Sequence, residues 1–213
     1  MESTTRMRLY YAPGACSLST HIVARESELD VEISKVTFSP EGRTTEHGED
    51  YYLVNKKGGY VPALRLPNDE VMAEGGAIIQ YLADKAEGKH LAPEKGTLEH
   101  YRFLEWLMFI STELHKGFSP LFRADAPETE KTLASDKLNK RYAYVNEALE
   151  GKEYLLGTFS VADAYLYTIL RWSARANIDL ATYPNLSVFM KLMESRKGVQ
   201  TALEEEGLDP FKQ

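Results

Sequence analysis

The apolar positions change their period along the chain, and that change divides it in two. Residues 8–12 (RLYYA) form a short apolar run that stops at Pro13-Gly14. A helical spacing of Leu18, Ile22 and Val23 follows at once, so the order is strand, turn, and a helix over 17–28. Residues 31–36 alternate apolar and charged side chains, the period of a half-buried strand. The stretch 38–48, with Pro40, Gly42, Gly48 and many charges, reads as a mobile loop before a weak helix at 49–54. Gly58-Gly59 then break the chain ahead of Val61-Pro62, and a proline at the head of a strand is tolerated because it has no N–H to offer the ladder. Asn68-Asp69 predicts a hairpin turn into a strand at 71–73, after which Glu74-Gly75-Gly76 opens an apolar helix at 77–86. Residues 1–6 are polar and charged and are expected to fray.

The order β-α-β, loop, β-β-α predicts a small mixed sheet covered by helices, as in thioredoxin-like domains. Residues 88–96 (GKHLAPEKG) carry two glycines and a proline with little apolar content, which marks a linker. Beyond it only helical periods remain. Leu98, Tyr101, Leu104, Leu107, Met108 and Leu114 give one long amphipathic helix over 97–116. A second helix at 127–150 has Pro127 near its first turn and Gly151 at its end. Residues 160–176 are apolar on nearly every side, as expected of a helix in the middle of a bundle. Ser160 and Asp163 fit a capping box at its start. Helices at 184–196 and 199–206 complete the bundle. The expected architecture is therefore an α/β thioredoxin-like N-terminal domain (1–87), a linker (88–96) and an all-α helical-bundle C-terminal domain (97–213).

Composition narrows the partners. The 213 residues suffice for one large or two small domains, and a formal net charge of -7 argues against nucleic acid and anionic membranes. No apolar run approaches the roughly 20 residues of a spanning helix. The N-terminal MESTTRMR lacks the apolar core of a signal peptide, so the chain is read as cytoplasmic. A single cysteine excludes an internal disulfide and a paired-cysteine metal site. His47, His90, His100 and His115 are scattered, so no metal is expected.

Three constellations carry candidate chemistry. Cys16 falls at a helix N-terminus, where unpaired N–H groups and the macrodipole favour an anion and so a thiolate. A lone cysteine is ordinarily a small buried hydrophobe. Here, however, the tight Pro13-Gly14-Ala15 turn leaves room for a ligand, and Ser17 and Ser19 add polar groups. Glu74-Gly75 is either a plain turn with a first-turn acid or a ligand site, with N–H groups on a carboxylate and Glu74 on an ammonium. His115-Lys116 either complements a helix C-terminus or supplies cations that favour the thiolate.

With these residues in view, the chain resembles cytosolic glutathione S-transferases, most closely the bacterial beta class, from about 8 to 208. The resemblance rests on YYAPGACSLS with Cys16, VPAL with Pro62, EGGAIIQYLAD from Glu74, ELHKGFSPLF around His115 and SVADAYLYTILRW from Ser160. It implies a homodimer with no cofactor, in which glutathione is a cosubstrate held between the two domains. Pro62 would be cis, and the backbone of Val61 would pair with the cysteinyl part of glutathione. Glu74 and Gly75 would hold the γ-glutamyl end, with Cys16 at the sulfur. His115, Lys116 and Thr112 would approach the ligand from the helical domain, with a minor role for Tyr11 and with Arg43 near the glycyl carboxylate. Two departures stand out: Asn55-Lys56-Lys57-Gly58-Gly59-Tyr60 lacks the usual proline and is one residue longer, and Met108 replaces a polar residue.

The implied activity is conjugation of the glutathione thiolate to a hydrophobic electrophile, with Cys16 and His115 as the catalytic candidates. Two alternatives stay open. One is monothiol, glutathione-dependent thiol-disulfide exchange through Cys16. The other is a non-catalytic binding or regulatory protein on the same fold.

Overall fold

A computed structural model of the chain describes residues 6–211. The expected fraying of residues 1–6 thus lies, except for Arg6, outside the described residues. The chain divides into two compact units. The first runs to Leu91 and also takes in Lys197–Asp209; the second is Ala92–Arg196 with Pro210 and Phe211.

In the first unit five strands, β1 (Met7–Tyr11), β2 (Val31–Ser39), β3 (Gly42–Thr45), β4 (Ala63–Arg65) and β5 (Val71–Ala73), form one sheet. Their order is β3-β2-β1-β4-β5, with β1 in the middle. β1 pairs in parallel with β2, Met7 opposite Val31 and Tyr11 opposite Lys35. A parallel pair needs a crossover, and α1 (Ser17–Glu26) supplies it. On its other side β1 runs antiparallel to β4, which pairs with β5 through the turn at Asn68-Asp69. Successive residues of β1 face opposite sides, and Leu9 and Tyr10 are both fully buried, so both faces of the central strand are covered. Tyr10, Val36 and Ala63 pack with Tyr51 and Val54 of the short helix α2 (Tyr51–Val54). After β5 comes α3 (Gly75–Lys85), which packs against α1.

The expected loop at 38–48 is instead the end of a hairpin. β2 continues to Ser39 and turns at Pro40-Glu41 into β3, with Phe38 opposite Arg43. The end of β2, residues 37–39, is exposed, whereas β3 is exposed only at Thr44 and buried at Thr45. The edge carries charge and proline rather than an apolar alternation, which blunts it against further pairing and hides it from a reading of hydrophobic period.

The second unit is helical. The long helix expected at 97–116 begins as α4 (Leu98–Phe109), then widens into a π-helical turn at Ile110–His115 and tightens into a 3₁₀ turn at Lys116–Phe118 before α5 (Ser119–Phe122). Such π turns within helices frequently fall at functional sites. α6 (Glu128–Ala148) follows, and all ten residues of α7 (Val161–Leu170) are buried, as the apolar run predicts. Asp163 closes the expected capping box: its Oδ2 accepts the Ser160 N–H at 2.8 Å and the Ser160 hydroxyl at 3.0 Å, and its Oδ1 accepts the Leu155 N–H at 2.9 Å. α8 (Pro184–Glu194) completes this unit. Among the described residues no helix is long and apolar enough to cross a membrane.

Helix α9 (Lys197–Glu206), counted with the bundle in the expected 97–213 domain, belongs to the first unit, where it packs on α1. The approach is close enough that a Cβ on Gly198 would fall 2.6 Å from Glu26 Cγ. Charge completes the contact. The buried His21 ring of α1 meets Glu206 Oε1 through Nδ1 at 2.9 Å and Glu205 Oε2 through Nε2 at 2.6 Å, and Arg25 Nε donates to the same Glu205 oxygen at 2.6 Å.

Candidate functional site

Cys16 occupies the N-cap position of α1, as the strand-turn-helix reading requires. The turn before it is held by the Ala15 N–H on Ala12 O at 3.0 Å and by Ser17. The Ser17 hydroxyl donates to Ala12 O at 3.2 Å and accepts the Ala12 N–H at 3.1 Å. Gly14 has φ +69°, a conformation that most side chains resist, and its N–H donates to Glu206 Oε2 at 2.9 Å. The Cys16 thiol donates to Val61 O at 3.2 Å. That contact brings together two segments 45 residues apart.

The Val61-Pro62 peptide is cis. Its approach is built by residues to which the sequence motifs give no role. Asn55, 3 % exposed, donates from Nδ2 to Tyr60 O at 2.7 Å, the Tyr51 hydroxyl donates to the same carbonyl at 3.0 Å, and the Gly59 N–H donates to Asn55 O at 2.9 Å. The longer loop is therefore pinned at both ends. The Pro62 ring lies against Gly75, where a Cβ would sit 3.5 Å from Pro62 Cγ. Gly75 begins α3, whose first N–H groups have no carbonyl four residues back within the helix. Glu74 caps it with φ +77° and ψ 108°, a backbone conformation rare for any residue but glycine. The Glu74 carboxylate is exposed beside this helix N-terminus, whose dipole favours negative charge.

The first unit thus joins Cys16, Val61, Pro62, Gly75 and Glu74. Tyr11 and Arg43 are differently employed. Tyr11 is 6 % exposed, with its ring 5.4 Å from that of His21, and burial raises its hydroxyl pKa. Arg43 donates from one nitrogen to the carbonyls of Gly58, at 2.7 Å, and Gly59. Its guanidinium lies over the rings of Phe38, Tyr60 and Tyr52, 4.7, 5.0 and 5.5 Å from their centroids. It holds the 55–60 loop.

In the second unit, Thr112, His115 and Lys116 lie on the π-helical turn and the 3₁₀ turn that continues it. Thr112 is exposed, and its hydroxyl donates back to Met108 O at 2.9 Å. His115 Nδ1 shares a hydrogen bond with the Tyr165 hydroxyl at 2.7 Å, and its ring stands 5.0 Å from Trp172. Burial, helped by the charge of Lys116, lowers the His115 pKa to about 4. The imidazole is therefore neutral at pH 7, not the cation expected from the His115-Lys116 pair, and Lys116 alone carries the charge.

A thioredoxin-like unit with a cis-proline and a cysteine at its first helix, followed by a helical unit, is the architecture that the resemblance to glutathione S-transferases implies. Known proteins agree with that assignment. Residues 14–85 match the model of the glutathione S-transferase N-terminal domain, and 109–197 that of the C-terminal domain. Glutathione S-transferase GstA of Escherichia coli O157:H7 is 44% identical over 95% of this chain and 100% of its own. A sphingomonad glutathione S-transferase solved with glutathione superposes with a TM-score of 0.89 at 41% identity, covering 95% of this chain and all of that one. A bacterial beta-class enzyme from Sphingomonas chungbukensis gives 0.89 at 38% with the same coverage. The chain belongs to the glutathione S-transferase family.

Proposed function

We propose that this protein is a glutathione transferase that joins the glutathione sulfur to hydrophobic electrophiles. The observation that carries the reading is the Cys16 Sγ contact with Val61 O, beside cis-Pro62 and the Glu74-Gly75 start of α3. It gathers in one unit the chemistry that a γ-glutamyl-cysteinyl ligand needs. Gly75 and the N–H groups that follow it take the γ-glutamyl carboxylate, and Glu74 takes its ammonium. The cysteinyl amide pairs with the backbone of Val61, whose carbonyl keeps a second lone pair beside the Cys16 thiol. The sulfur lies at Cys16, near the N-terminus of α1.

In the second unit, Thr112, His115 and Lys116 are the candidate ligand contacts that the family resemblance implies. The neutral His115 acts there as a hydrogen-bonding group and Lys116 as the cation. Arg43 and Tyr11 support the site from behind. Arg43 holds the 55–60 loop, and Tyr11 packs against His21. Bound glutathione gives its thiol proton to solvent, and the thiolate attacks the electrophilic carbon of the acceptor. With a chloro-nitroaromatic acceptor a C–S bond forms, the C–Cl bond breaks and chloride leaves. Proximity and stabilisation of the thiolate supply the rate.

The experiment is a spectrophotometric assay with glutathione and a series of such acceptors. A rate above the uncatalysed one is expected, and none across the series overturns the reading. We also place the protein in the cytoplasm and read it as a homodimer. An open groove of about 590 Å³ in the second unit, lined by Trp106, Phe109 and Tyr144 among charged residues, suits a second copy of the chain. A single-chain mass in sedimentation equilibrium excludes the dimer.

A further inference from the structure

Glu206 is the least expected residue near Cys16. It comes from α9, 192 positions after Gly14, and its carboxylate has no solvent exposure. Oε2 accepts the Gly14 N–H at 2.9 Å, and Oε1 meets His21 Nδ1 at 2.9 Å. A buried carboxylate is costly unless hydrogen bonds meet its oxygens, and here both oxygens are met. One of those bonds goes to the turn that delivers the thiol. Gly14 stands two residues before Cys16 with φ +69°, so the direction in which the chain enters α1 depends on what holds its N–H. His21, one turn further along the same helix, is held by the other oxygen. A single side chain therefore fixes both the turn before Cys16 and the helix after it.

We propose that Glu206 is a positioning residue for the Cys16 thiol, with His21 as its support. It holds the Pro13-Gly14-Ala15 turn so that Sγ stays on Val61 O. The inference rests on the glutathione reading only in supposing that this thiol marks the place of the substrate sulfur. Without the carboxylate, Gly14 loses that acceptor and the turn relaxes, so the thiol spends less time on Val61 O and more in solvent.

Cys16 is the only cysteine, so its alkylation by iodoacetamide is read without interference. In Glu206→Leu, alkylation of the free protein is expected to quicken by about threefold or more, and KM for glutathione to rise more than kcat falls. Glu206→Gln keeps an oxygen for Gly14 and is expected to recover most of both. Arg25→Gln removes a tie between α1 and α9, at Glu205, without reaching Gly14. It is expected to lower the melting temperature while leaving alkylation and KM unchanged. Should Glu206→Leu fail to fold, Glu206→Asp, one methylene shorter, is read in its place. Wild-type alkylation and KM in the Glu206 variant overturn the proposal, as does an equal change in Arg25→Gln. Alkylation rates judge Glu206 even if the wild type conjugates no acceptor, a result that would remove the proposed function alone.

Discussion

Replacing Asp163 with alanine tests how the buried helix of the second unit is held. The carboxylate is wholly buried and accepts from two backbone N–H groups, those of Leu155 and Ser160, and from the Ser160 hydroxyl. The hydroxyl can turn to another acceptor, but the two N–H groups cannot. Leaving each unsatisfied costs about 1–3 kcal/mol, so the expected loss is roughly 2–6 kcal/mol, a large share of an ordinary total of about 5–15. Asp163→Asn keeps one accepting oxygen but turns an NH₂ toward the other donor, so it should cost less than alanine. Urea unfolding at pH 7, followed by the fluorescence of Trp106 and Trp172, gives the midpoints. A loss below about 1 kcal/mol for Asp163→Ala, or a larger one for asparagine than for alanine, refutes the reasoning.

The same group makes a second, signed prediction. Burial raises its pKa from 3.8 to about 6, against the opposing hydrogen bonds from Leu155 and Ser160. Between those values the folded chain binds more protons than the unfolded one, so this group's contribution is full below pH 3.8 and is lost as pH rises through 6. At 1.36 kcal/mol for each pH unit, the interval amounts to ~3 kcal/mol. Wild type and Asp163→Asn should therefore diverge in stability slope between about pH 4 and 6, the variant gaining relative to wild type as pH rises. Parallel curves sink the assignment.

His115 works in the opposite sense: its folded pKa of about 4 lies below the ordinary 6.5, so its contribution is present above pH 6.5 and is lost as pH falls through 4. Imidazole resonances in an NMR titration should show no His115 midpoint between about pH 5 and 8, and one there contradicts its neutrality. Cys16→Ala is expected to change conjugation by less than about tenfold while abolishing exchange with glutathione disulfide. Loss of both activities would make Cys16 the nucleophile. Glu74→Gly relieves a positive φ that costs on the order of 1–3 kcal/mol, so its melting temperature should rise by a few degrees, about 2–4 °C for each 1 kcal/mol regained. Calorimetry should show its glutathione affinity falling about tenfold or more with the lost carboxylate, and unchanged affinity removes Glu74 from the site.

The strand, turn and helix around Cys16, the strand behind Pro62, the glycine start of α3 and the capping box at Ser160 were all legible in the sequence. Each is local: it follows from hydrophobic period, from the allowed angles of glycine and proline, and from short-range capping. Three features were not. The β2–β3 hairpin extends past the alternating residues 31–36 into 39–45 (SPEGRTT), which hold no apolar side chain to mark a strand. The π-helical turn at Ile110–His115 has the same apolar spacing as the helix it interrupts, and burial beside Tyr165 and Trp172, with the charge of Lys116, takes the charge from His115. Helix α9 reads as amphipathic whichever unit it covers; His21, Arg25, Glu205 and Glu206, together with the room that Gly198 leaves for Glu26, assign it to α1. A period in the sequence states that one face of an element is buried. What that face meets depends on side chains far away along the chain, and so the carboxylate that holds the turn before Cys16 became visible only in three dimensions.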